Sequence, residues 1–215
     1  MLKGIVWDFD GTIVDTETPQ FEAWDAVFRE HGTQLDYGLW SRMVGTETDW
    51  DLLSVLEERV GPVNRITLGP HLNQLIHERL KAAPLRRGVR RLMEAADKIG
   101  VIQAIASSSG RRWIHEYSNR HQLTYIRAVA SGDEVARVKP DPALYHLAVS
   151  RLGFRADECA AFEDSPHGAA AAITAGLCCV VVPNPSTQTL AFPTGVIRRA
   201  SYEEITLDEV AKWVG

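Results

Sequence analysis

Four carboxylates, a run of hydroxyls and one lysine are the residues of this 215-residue chain whose types could do chemistry together. Asp8 and Asp10 stand two apart in WDFDGT, Ser107, Ser108 and Ser109 follow the apolar run VIQAIA, and Glu163, Asp164 and Ser165 follow CAAF. Lys139 lies in the loop RVKPDP. Brought to one mouth, the carboxylates cannot stay unpaired, because desolvation and mutual repulsion would push protons onto them. A hard divalent cation with oxygen ligands removes the conflict, and Mg²⁺ suits a few carboxylates completed by a substrate phosphate. The chemistry these residues call for is that of a metal and an anion.

The elements that must position them can be read from the hydrophobic pattern. Gly4 to Trp7, Val101 to Ala106, Ile126 to Ala130, Cys159 to Phe162 and Leu177 to Val182 read as buried strands. Helical patterns separate them from Pro84 onward, over Val89 to Lys98, Arg112 to Arg120, Pro142 to Leu152 and Ala169 to Ala175. Such alternation predicts an α/β fold with a Rossmann-like parallel sheet. Ligands of open α/β sheets bind beyond the carboxyl ends of the strands, where the polar groups above fall. Between the first strand and Pro84 the pattern is helical only, with Phe21, Trp24, Val27 and Phe28, then Leu52, Leu56 and Val60, then Leu68, Leu72 and Leu80 at spacings of three and four. The predicted organisation is a core of residues 1–14 and 86–215 with an inserted all-α cap over residues 15–85.

Composition narrows the partners. Hydrophobic residues at 45% and charged ones at 24% describe a globular chain. With 23 basic against 28 acidic residues there is no positive field to collect nucleic acid. Twelve acidic and six basic residues fall between Asp15 and Leu85, so the acidity belongs to the cap, where it reads as a solvated helical surface. The longest uncharged stretch, Ser165 to Ile197, is broken by Gly176, Pro183, Pro185 and Pro193, and its apolar part is shorter than a membrane span. Three cysteines, two of them adjacent, fit a reducing compartment, and no signal-peptide pattern opens the sequence. A cytoplasmic protein, monomeric or weakly homo-oligomeric, is expected, with no nucleic acid or membrane partner.

DFDGT at Asp8 to Thr12, Ser107 at a strand end, the KPDP lysine Lys139 and EDS at Glu163 to Ser165 occur in order and at fitting separations. In these four motifs, which span the whole chain, the sequence resembles the haloacid dehalogenase superfamily, in particular its phosphatases with a small helical cap, the branch that includes β-phosphoglucomutase. The resemblance implies Asp8 as nucleophile, forming an aspartyl-phosphate, and Asp10 as the acid that protonates the leaving oxygen and then the base that activates water. It implies that Ser107 binds a phosphoryl oxygen and that Lys139 neutralises charge on the nucleophile and the transferring group. Mg²⁺ would be held by Asp8, the backbone carbonyl of Asp10 and Asp164, with Glu163 supporting it directly or through water. Gly11, Thr12 and Ser108 are expected on the phosphate side, the first two offering backbone donors.

Within the superfamily, dehalogenases usually lack the second aspartate, so Asp10 favours phosphoester chemistry. A β-phosphoglucomutase-like mutase is the alternative. Mutases of that type carry a histidine where this chain has Gln20, and an arginine where it has Thr46, Glu47 and Thr48. Hydrolysis of a small phosphorylated metabolite, such as a sugar phosphate, is therefore expected. Glu17, Gln20, Gly45 and Thr46 are the residues expected to choose the substrate, whereas Trp24 and Trp50 read as packing residues. His71 and His77 read as surface residues, Arg86, Arg87, Arg90 and Arg91 as a solvated helix start, and Gly88 as a hinge.

Overall fold

The computed structural model describes residues 1–43 and 51–214. Gly45, Thr46 and Trp50, named above, lie outside the described residues. The chain forms two compact units, Met1–Val14 with Leu85–Gly215, and Asp15–Pro84. Leu85 thus belongs with the strands rather than with the helical insertion, where it pairs with Val14 in an isolated antiparallel bridge.

In chain order, β1 (Gly4–Trp7) opens the first unit. The second unit follows with α1 (Glu17–Glu30), α2 (Tyr37–Met43), α3 (Leu52–Val60) and α4 (Arg65–Leu80). The first unit resumes with α5 (Val89–Lys98), β2 (Ile102–Ala106), α6 (Arg111–Arg120), β3 (Ile126–Ala130) and α7 (Ala143–Leu152). It ends with β4 (Cys159–Glu163), α8 (Pro166–Thr174), β5 (Cys178–Val181), β6 (Ile197–Arg198) and α9 (Leu207–Trp213).

All strand pairings are parallel, in the order β3-β2-β1-β4-β5-β6. The winding reverses at β1, which pairs with β2 on one side and β4 on the other, and this reversal opens a crevice at the carboxyl ends. Every residue of β1 and β4 is buried, as strands covered on both faces require. Trp7 stacks on Phe162 with ring centroids 4.4 Å apart. Its indole N–H donates to Gln103 Oε1 at 3.0 Å, and Gln103 Nε2 donates to the Met93 carbonyl at 2.9 Å, so this buried polar pair is satisfied. Cys179 is buried and its neighbour Cys178 is half-buried, as expected for adjacent residues on opposite faces of a strand.

The helical unit has its own core, in which Val27 and Phe28 of α1 join Trp40 of α2, Leu56 of α3 and Leu72 of α4. Asp51 and Asn64 cap α3 and α4 through their side-chain oxygens. His71 lies 2.9 Å from Glu30 on the surface, and His77 is exposed, in line with the reading from sequence.

Three elements go beyond those predicted. Helix α2 has only seven residues and β6 two, too short to establish a period. Helix α9 had a signal: Thr206 and Glu209 form a capping box at its start. Gly88, expected as a hinge, has a simpler reason to be glycine. Its φ is +87°, and a Cβ there would lie 2.7 Å from the backbone of Tyr202 and Glu203.

Candidate active site

The parallel register delivers the motif residues to one end of the sheet. Trp7 pairs with Ile105 on one side and Phe162 on the other, so Asp8, the next residue, leaves β1 beside Glu163, the last residue of β4. The Asp8 amide still donates to the Phe162 carbonyl at 2.9 Å, which fixes where its side chain starts. Ser107 leaves β2 with its amide bonded to the Ala130 carbonyl.

Asp8, Glu163 and Asp164 are all buried, and ligand-type oxygens of the three lie within 4.8 Å of one another. Lys139 Nζ donates to Asp8 Oδ1 at 2.5 Å and to Glu163 Oε1 at 2.7 Å. Burial works against the lysine charge, but the two carboxylates override it and hold the ammonium above its ordinary value. Burial, then the Glu163 charge, push the Asp8 carboxyl from 3.8 up to about 7 despite Lys139. Asp8 Oδ2 is buried with no hydrogen-bond partner among the described residues. An acceptor orphaned beside two further carboxylates is what a cation site presents when only protein atoms are counted.

The other two carboxylates are engaged differently. Glu163 Oε1 also accepts from the Tyr145 hydroxyl at 2.7 Å, and Oε2 accepts from the amides of Asp164 and Ser165 and from the Ser165 hydroxyl. Asp164 Oδ1 accepts from the Thr12 hydroxyl at 3.1 Å and Oδ2 from Asn184 Nδ2 at 2.6 Å. Gly11 makes this packing possible: its φ is +79°, and a Cβ would fall 2.4 Å from Asp164 Oδ2. The Gly11 amide, expected to face the phosphate, instead donates to the Val14 carbonyl at 2.8 Å and closes the tight turn after Asp10.

Asp10 faces the serine loop. Its Oδ2 accepts from Ser109 Oγ at 2.6 Å and lies 3.5 Å from Ser107 Oγ, while Oδ1 accepts from Trp113 Nε1 at 2.8 Å. Ser107 is buried and its hydroxyl also accepts from the Ser109 amide, whereas Ser108 is exposed. The loop is backed by Gly132, where a Cβ would lie 2.1 Å from the Ser108 carbonyl oxygen. Glu17 and Gln20 are half-buried on α1, and Gln20 Nε2 donates to the Thr16 carbonyl at 3.0 Å.

The haloacid dehalogenase-like hydrolase family matches residues 5–182, from β1 to the end of β5, and so includes every residue of the strand-end cluster. The chain belongs to the haloacid dehalogenase-like hydrolases. Among its relatives is YhcW of Bacillus subtilis (strain 168), 36% identical over 209 residues, covering 96% of this chain and 95% of that protein. A phosphorylated carbohydrates phosphatase of Thermotoga maritima is 30% identical over 181 residues, covering 82% of each. Among solved structures, a mutant of CbbY from Rhodobacter sphaeroides in complex with xylulose-(1,5)bisphosphate superposes with a TM-score of 0.72 at 25% identity, covering 95% of this chain and 96% of that one.

This haloacid dehalogenase-like hydrolase also uses residues not singled out from its sequence. Tyr145, fully buried on α7, bonds Glu163 and lies under the Lys139 ammonium, 4.9 Å from ring centre to Nζ. Asn184 holds Asp164 while its own Oδ1 accepts the amides of Ser186 and Thr187, an Asx turn that locks the amide orientation. Arg86, expected in a solvated helix start, instead donates to the carbonyls of Gly11, Val182 and Pro183 and lies over the Tyr202 ring. Arg87, Arg90 and Arg91 are exposed, as expected of a solvated helix start, and make surface bonds to Glu203, the His121 carbonyl and the Tyr202 carbonyl.

Proposed function

We propose that this hydrolase is a Mg²⁺-dependent phosphatase acting on a small phosphorylated metabolite, a sugar phosphate, through an aspartyl-phosphate on Asp8. The observation that carries the proposal is the pairing of Asp8 Oδ1 with Lys139 while Oδ2 stays buried and unpartnered beside Asp164. The likeness to a phosphatase of phosphorylated carbohydrates supports the substrate class.

Asp8 attacks phosphorus, and the phosphorus–oxygen bond to the sugar breaks in line with the attack. Lys139 pairs with the nucleophile, opposing its protonation, and neutralises charge on the phosphoryl group, while Glu163 and Tyr145 hold the lysine in place. Asp10 gives a proton to the leaving sugar oxygen, then removes one from the water that cleaves the acyl phosphate at phosphorus, releasing inorganic phosphate and regenerating Asp8. Ser107 and Ser108 bind phosphoryl oxygens, and Gly11 and Thr12 shape the turn that keeps Asp164 beside Asp8. Asp8, the backbone carbonyl of Asp10 and Asp164 would hold Mg²⁺. Bound there, the ion supplies countercharge for the nucleophile and the phosphoryl oxygens. Glu163, whose two oxygens already accept from Lys139, Tyr145, Ser165 and two amides, supports the site without ligating the ion.

Release of phosphate from a panel of sugar phosphates with Mg²⁺ tests the proposal. The wild-type protein is expected to turn over at least one of them and Asp8→Asn none. Turnover by Asp8→Asn comparable to the wild type would refute the assignment.

A further inference from the structure

We infer that Trp113 is a positioning residue for Asp10, pinning one of its two carboxylate oxygens so that acid and base work is done at the other. The inference rests on the phosphatase reading above and adds a residue to it.

Trp113 Nε1 donates to Asp10 Oδ1 at 2.8 Å. An indole N–H can only donate, so it holds Oδ1 as an acceptor and leaves that oxygen no role in carrying a proton. Oδ2 faces hydroxyls, Ser109 Oγ at 2.6 Å and Ser107 Oγ at 3.5 Å, which can donate or accept. Oδ2 is thus the oxygen able to exchange a proton, and it lies on the side of Ser107, where the phosphoryl group is proposed to sit.

The indole is itself held. It is half-buried in the first turn of α6 and packs on the Tyr117 ring with centroids 4.4 Å apart. Tyr117 is buried, and the Arg120 guanidinium covers its ring at 4.5 Å. A donor on a packed helix fixes a carboxylate more closely than one on a loop, and a misplaced acid loses its advantage quickly. A tryptophan whose ring were wanted only for packing would not need its N–H aimed at the one carboxylate that neither Lys139 nor Asn184 reaches.

The test separates positioning from general stability by the leaving group. An alkoxide needs a proton as it departs, whereas dinitrophenolate leaves unaided, so loss of the acid affects alkyl phosphates and spares formation of the phosphoenzyme from 2,4-dinitrophenyl phosphate. Trp113→Phe is compared with the wild type and with Asp10→Asn on a sugar phosphate and on 2,4-dinitrophenyl phosphate, with Mg²⁺. The expected result is a fall in kcat/KM of about 30-fold on the sugar phosphate and under about threefold on the aryl ester. A burst of one dinitrophenolate per enzyme should also appear, because water attack on the phosphoenzyme is slowed as well. Benzothienylalanine in place of Trp113, which keeps the ring shape and exchanges only the N–H for sulphur, should give the same split if Trp113→Phe does not fold. Equal losses on both esters, or faster turnover, would overturn the inference. A wild-type protein inactive on both esters would instead bring down the phosphatase reading, and the inference with it.

Discussion

Gly168 lies so close to Glu163 that a Cβ on it would fall 1.9 Å from Oε1 and 2.0 Å from the carboxylate carbon. Glu163 cannot yield without giving up bonds, since it is fully buried and its oxygens accept from Lys139, Tyr145, Ser165 and two amides. The glycine is therefore part of the lysine's support. Gly168→Ala should displace Glu163, lower stability by about 2–3 kcal/mol and cut turnover roughly 100-fold. Urea denaturation and phosphate release on the same preparation check both effects.

Asn184 acts on the proposed metal ligand rather than on the metal. Asn184→Ala removes the 2.6 Å bond to Asp164 Oδ2 and leaves Oδ1 with the 3.1 Å bond from Thr12. Loss of such a supporting contact should weaken Mg²⁺ affinity by about 10–100-fold, with kcat at saturating Mg²⁺ changed much less. Mg²⁺ titration of activity distinguishes the two. Glu163→Gln, by contrast, should lower kcat with little effect on the Mg²⁺ midpoint.

The Asp8 carboxyl, pushed up to about 7 by burial and by Glu163, gives stability a definite pH dependence. The metal-free fold keeps a proton there that the unfolded chain releases near 3.8, so stability falls as pH rises from about 4 to about 7 and stays lowered above that. Asp8→Asn removes this penalty. Metal-free Asp8→Asn should melt above the wild type at about pH 8 and with it at about pH 4, and Mg²⁺ should raise the wild-type melting temperature most at the higher pH. Thermal melts across pH, with and without Mg²⁺, provide the check.

Arg86 ties the turn after Asp10 to the segment after β5 through three carbonyls. Arg86→Ala leaves those acceptors without their charged donor and should cost about 2–4 kcal/mol. Arg86→Lys should recover little of it, because an ammonium lacks the planar fork that reaches Gly11, Val182 and Pro183 together. Chemical denaturation of both variants measures the difference.

The five longer strands and the positions of Asp8, Asp10, Ser107 and Asp164 at their ends were legible in the sequence, because a parallel sheet writes each strand as a short apolar run that stops at a polar group, and Lys139 was legible in the loop before α7. What surrounds those groups was not. Trp113 and Tyr145 do not stand out in the sequence, since nothing in a hydrophobic period reveals where an N–H or a hydroxyl points. Arg86 reads as solvated beside three further arginines, and only the return of the chain between β1 and β5 shows three carbonyls waiting for it. Asn184 lies among prolines and hydroxyls that spell a turn, and its reach to Asp164 is a contact across twenty residues. The Gly11 amide illustrates the same limit, because a glycine in a motif signals a turn without saying which carbonyl its N–H will meet.

The most direct test of the central claim is to catch the phosphoenzyme. Protein quenched in acid during turnover of a sugar phosphate with Mg²⁺ can be reduced with borohydride, which converts an aspartyl-phosphate to homoserine at the same position. Peptide mass spectrometry should find homoserine at residue 8, absent from Asp8→Asn and from enzyme quenched without substrate. Turnover that leaves Asp8 unreduced, or that marks a different carboxylate, would contradict the account.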